Sequence, residues 1–180
     1  AQNRDYWLQL INEQHELNFA GQYYKAINTG RNALKISKQI FGIKSQETAL
    51  SMQNLAHSHT LAGNYEIALN LQVESLGIYR EIHENDSLDI AQSLNNISVT
   101  HLYLGNYLES IKNQEESLKI RERKLETDHQ DIATSLSNLA SAHLYIGNYK
   151  NALDLLIKTI EIRNKNPHEN RISTANAYNN

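Results

Sequence analysis

Three histidines, His59, His101 and His143, recur at one fixed spacing of 42 residues. Five asparagines, Asn12, Asn54, Asn96, Asn138 and Asn180, recur at the same spacing. Imidazoles invite a metal reading, because zinc takes neutral histidine nitrogens. Asparagine amides invite a different one. Each carries a donor and an acceptor, so a row of them can pair with the backbone of an extended peptide of any sequence.

Which chemistry survives depends on the elements that hold these side chains. Gly63-Asn64-Tyr65, Gly105-Asn106-Tyr107 and Gly147-Asn148-Tyr149 share the period, and Gly21-Gln22-Tyr23 precedes them with one substitution. A constant period of this size is the mark of a stacked repeat array. Met52, Leu94, Leu136 and Tyr178 form an apolar column, and Leu55, Ile97 and Leu139 form another three residues on. Ala49, Ala91, Ala133 and Ala175 form a small-residue column. Steps of three and four residues are an amphipathic helix signal. Each repeat therefore reads as two helices joined at a glycine turn, since glycine takes the left-handed conformation that ends a helix.

The spacing predicts first helices over 4–20, 46–62, 88–104 and 130–146, and second helices over 22–41, 64–84, 106–125 and 148–164. A further helix begins near Arg171 and stops with the chain at Asn180, which predicts a longer array. Its apolar face offers a route to self-association. Asp86 and Asp128 are the expected N-caps, followed by the acids Asp89 and Asp131, which suit the positive helix end. Ser45 takes the capping role where Lys44 replaces the aspartate, and Asn170 holds the same column before the last segment. Glu13 and Gln14 stand where Leu55 and Ala56 stand later, which predicts a weaker packing register in the first repeat.

This frame removes the metal site. Packed helices lie about 8–10 Å apart, so equivalent histidines two helices on are about 16–20 Å apart. Zinc needs nitrogens at about 2.0–2.1 Å. His57 and His59, two apart on one helix, face different directions. No nucleophile elbow, phosphate loop or zinc-helix motif is present, so neither catalysis nor a cofactor is expected. The run from Lys119 to Lys124 is interleaved with Glu115, Glu116, Glu122 and Glu126, and reads as a solvated, ion-paired face. The net charge of −3 argues against a nucleic-acid surface. There is no cysteine, one proline (Pro167), and no apolar run long enough to span a bilayer. No signal-peptide pattern is present; the chain starts at Ala1 without a methionine, and a cytoplasmic location is expected.

Ala56, Gly63, Tyr65 and Ala68 resemble the tetratricopeptide repeat. The pattern from Asp128 to Ala140, echoed from Asp89 to Ile97, is similar to the 42-residue variety found in kinesin light chains and many bacterial proteins. The resemblance implies an all-α, right-handed α-solenoid of antiparallel helix pairs. It implies a single array over 1–180, with repeats at 4–42, 46–84, 88–125 and 130–164 and a helix start at 171–180. In this family the first helix of each pair lines the concave face. Carried over, the groove holds Asn12, Asn54, Asn96 and Asn138, with His15 and His57, and one turn on Phe19, Leu61, Tyr103 and Tyr145. The asparagines either contact a peptide or bond to neighbouring helices and fix the stacking. Asn95, beside Asn96, reads as solvated. The resemblance implies a non-catalytic scaffold for a peptide or protein partner. The alternative is a sensory or regulatory domain of a larger enzyme, such as a protease or NTPase.

Overall fold

The computed structural model describes residues 2–83 and 86–165. Among the described residues eight helices alternate with short turns: α1 (Gln2–Phe19), α2 (Tyr23–Ile40), α3 (Gln46–Leu61), α4 (Tyr65–Ile82), α5 (Leu88–Tyr103), α6 (Tyr107–Lys124), α7 (Gln130–Tyr145) and α8 (Tyr149–Lys165). No strand occurs among the described residues. Each helix packs on its predecessor and its successor in the chain. The result is the expected all-α solenoid of antiparallel pairs. The further helix expected near Arg171, with Asn170, Ala175, Tyr178 and Asn180, lies outside the described residues.

The turns within pairs follow from one glycine each. Gly63 has φ 78°, and the Asn64 N–H reaches back to the His59 carbonyl at 2.8 Å. This closes the orphan carbonyls at the end of α3. Gly105 and Gly147 repeat the geometry with φ 76° and 77°.

Starts of the first helices correct the expected caps. Ser45 does cap α3, accepting from the Thr48 N–H at 3.2 Å. Ser87, rather than Asp86, caps α5 through the Ile90 N–H, and His129, rather than Asp128, caps α7 through the Asp131 N–H. The helices begin one residue later than the aspartate column implied. Asp86 instead binds Lys124 at 3.0 Å, and that hydrogen bond holds its carboxyl below the usual range. The first-turn acids Asp89 and Asp131 sit where expected.

The core runs along the stack. Met52, Leu94 and Leu136 are buried, as are Leu55, Ile97 and Leu139. A fully buried aliphatic side chain contributes about 1.5–3 kcal/mol. Ala49, Ala91 and Ala133 have no exposed surface, and their size lets the second helix of the pair approach the backbone. Ser75 Oγ donates to the Ala49 carbonyl at 3.0 Å, and Ser117 Oγ to the Ala91 carbonyl at 2.7 Å.

The first pair keeps this register by different means. Trp7 occupies the alanine column, donates from Nε1 to Ser51 Oγ at 2.8 Å, and meets the Phe41 ring edge-on at 5.3 Å. Gln14 is buried rather than loosening the pair, because α2 offers Gly30 opposite it.

Candidate partner-binding face

First helices touch across the repeats: α1 meets α3 and α5 meets α7, while no pair of second helices makes a comparable contact among the described residues. The polar bonds between repeats follow the same row. Gln14 Nε2 and Asn18 Nδ2 both donate to Ser58 Oγ, at 2.9 and 3.0 Å. Gln53 Nε2 donates to Ser93 Oγ at 2.8 Å. The shorter spacing puts the first helices on the inner side of the curve.

On this row the asparagine column divides. Asn96 Nδ2 donates to Gln53 Oε1 at 2.9 Å, and Asn138 Nδ2 to Asn95 Oδ1 at 3.0 Å. Each therefore bonds to the residue 43 positions earlier on the preceding first helix. Of the two readings of the column, stacking describes these two side chains. Asn54 has Ile11 at the corresponding place, and its buried Nδ2 finds no acceptor. Asn12 is exposed. Asn95 is not solvated: it is 7% exposed and also accepts from Gln114 Nε2 at 3.2 Å. A carboxamide placed between two helices serves both, which the repeat spacing alone did not indicate.

The chain of bonds continues outward. Asn96 Oδ1 accepts from Gln92 Nε2 at 2.9 Å, and Gln92 Oε1 accepts from Arg121 at 2.7 Å. The Arg121 guanidinium is 2% exposed and donates also to the Asp131 carbonyl and Ser135 Oγ. Its acceptors are neutral, and burial lowers its pKa. Buried guanidinium groups need every donor satisfied, and the planar fork reaches three elements at once. The sequence placed Arg121 in a solvated run; it faces inward because its column also holds the buried Tyr79.

Phe19, Leu61, Tyr103 and Tyr145 end the first helices and are 75, 39, 57 and 63% exposed. Tyr103 stacks on Tyr65 and Tyr145 on Tyr107, with ring centroids 5.0 Å apart in both pairs. The tyrosines of the glycine turns thus form platforms with the next repeat. Sequence reading missed this pairing, although the constant separation of the two columns carried it. His15 and His57 are exposed and close enough that His15 helps lower the His57 pKa, with removal from solvent the larger cause.

The regular histidine column stays apart. His59 is buried, with Asn64 Nδ2 3.4 Å from its Nδ1, and burial lowers its pKa. Burial lowers that of His101 as well. Among the described residues no three His, Asp or Glu side chains come together to hold a metal. None of the described helices is long and apolar enough to cross a membrane.

No curated protein matches the sequence. Among solved structures, a putative kinesin light chain from Podosopora anserina with nearly identical repeats superposes with a TM-score of 0.81, at 17% identity, over 92% of this chain and 78% of that one. BtubC from P. vanneervenii gives 0.77 at 21% identity, over 86% of this chain and 62% of BtubC. A Rap protein complexed with Competence and Sporulation Factor gives 0.80 at 18% identity, over 94% of this chain and 45% of that one. At these identities the likeness is one of fold. The tetratricopeptide repeat family model matches residues 17–81 and 89–165, most of the chain, and the chain belongs to that family.

Proposed function

We propose that the chain is a non-catalytic scaffold that binds a peptide segment or partner protein along the inner row of first helices. The observation that carries this reading is the exposed line of Phe19, Leu61, Tyr103 and Tyr145 at one position of successive repeats. Apolar residues exposed in register over several repeats mark an interaction surface rather than scattered exposure. The Rap structure with its bound factor supports a peptide or protein as the partner class. A single array over 1–180, a cytoplasmic location and a partner other than nucleic acid or membrane belong to the same proposal.

The test is partner capture with the whole chain. Phe19→Ala and His57→Ala combined should abolish capture while helicity and melting hold. A partner retained by this variant would place binding on the outer helices. Asn96 and Asn138 are unsuited to the test, because their loss would disturb stacking.

A second reading, a regulatory domain of a larger protein, is favoured by coverage. The chain spans 44% of RapI and 45% of the Rap protein with its factor. An adjoining catalytic domain in the gene would support it, and a chain of repeats alone would sink it.

A further inference from the structure

The tyrosine that opens a second helix has a fixed neighbour in the later repeats. Tyr65 lies face to face with Tyr103, and Tyr107 with Tyr145, with ring centroids 5.0 Å apart and interplanar angles of 15° and 5°. In both pairs the second ring ends the first helix of the next repeat, 38 residues on. The same step from Tyr23 reaches Leu61. Among the described residues Tyr23 stacks on no ring.

The first turn is nevertheless built like the others. Gly21 has φ 70°, and the Gln22 N–H reaches back to the Leu17 carbonyl at 2.8 Å, as the Asn64 N–H does to His59. Tyr23 is half-buried, as Tyr65 and Tyr107 are. Its ring therefore stands at the equivalent place, and the missing piece is the ring opposite. Space remains there: a cavity of about 520 Å³ is lined by His15, Asn18, Phe19, Tyr23, His57 and Leu61. The lining holds no lysine, arginine, aspartate or glutamate. Removal from solvent, with His15 the lesser cause, lowers the His57 pKa, which keeps that imidazole neutral at pH 7. A charged side chain entering the cavity would give up hydration without meeting an opposite charge. An uncharged ring gains by leaving water.

We propose that this cavity receives an aromatic side chain of the partner segment, its ring lying on Tyr23 as Tyr103 lies on Tyr65. The inference rests on the inner-row reading and names the residue class that the partner contributes. The site continues the stacked column through which the later repeats join, and the partner supplies the ring that Leu61 does not. Stacked aromatic rings gain beyond the area they bury, whereas an aliphatic side chain of similar size gains from the area alone.

The test titrates N-acetyl-phenylalanine methylamide into the isotope-labelled whole chain, with the saturated cyclohexylalanine analogue as control. The aromatic probe should move the Tyr23 ring protons and the Leu61 methyls upfield by its ring current, and bind about threefold more tightly than the saturated probe. Leu61→Tyr places the chain's own ring on Tyr23, so it should raise the melting temperature and abolish these shifts. Tyr103→Leu opens the same site over Tyr65 and should add a second set of shifts on that ring. Equal binding of the two probes, no shift from the aromatic one, or shifts that persist in Leu61→Tyr would overturn the proposal. Partner capture separates it from the reading beneath it. Capture lost when Phe19 and His57 are replaced but kept in Leu61→Tyr sinks the ring site alone. Capture kept in both sinks the inner-row reading with it.

Discussion

Gln14 and Gly30 face each other across the first helix pair, where later repeats reverse the sizes. Ala56 and Ser98 occupy the Gln14 column, and Gln72 and Gln114 the Gly30 column. A Cβ added at Gly30 would lie 2.8 Å from Gln14 Cδ. One glutamine fills the same interhelical space from either side.

Gly30→Ala should therefore destabilise the chain by about 1–3 kcal/mol through overpacking, despite the gain of up to about 1 kcal/mol in helix propensity. In a Gln14→Ala background the same change should be neutral or stabilising. Urea unfolding of the four-member cycle checks this, and additive effects would disprove the size exchange.

Arg121 joins α5, α6 and α7 through three neutral acceptors. Lysine keeps the charge and loses the fork, so Arg121→Lys should cost about 1.5–3 kcal/mol, the worth of a charged hydrogen bond. A melting temperature unchanged from the parent would show that the fork holds nothing.

Stacked tyrosines should be extendable. Leu61→Tyr supplies the partner that Tyr23 lacks and should add about 0.5–1.5 kcal/mol, the usual worth of an aromatic pair. Tyr103→Ala should lose a similar amount by removing the stack on Tyr65. Differential scanning calorimetry of both variants reads the two signs.

Acid should weaken the fold through its histidines. Removal from solvent holds the pKa values of the buried His59 and the half-buried His101 below 6.5; Arg31 adds to the effect at His59, and Glu109 opposes it at His101. The unfolded chain then binds more protons than the folded one as pH drops through 6.5, so stability is full above that value and is lost below it. Denaturation midpoints at pH 7.5 and 5.5 should show the fall, and His59→Gln should reduce it. A midpoint indifferent to pH would contradict the burial of neutral imidazole.

The period of 42 residues was enough to determine the helices, their pairing and the core columns. Residues such as Ala91, Leu94 and Ile97 are buried alike in the second, third and fourth repeats, so local pattern and tertiary position coincide there. The column from Phe19 to Tyr145 shares that period, but its placement on a concave face came from the family resemblance. Tertiary structure decided whatever depends on what lies across an interface. Asn96 and Asn138 are bound because Gln53 and Asn95 stand opposite them, while Asn54 has Ile11 at the corresponding place and its Nδ2 finds no acceptor. Ser87 rather than Asp86 caps α5 because the loop draws Asp86 to Lys124. Periodicity reports which face a residue shares along its own helix. A hydrogen bond or a stacked ring depends on a distance to another helix, and that distance exists only once the repeats are packed.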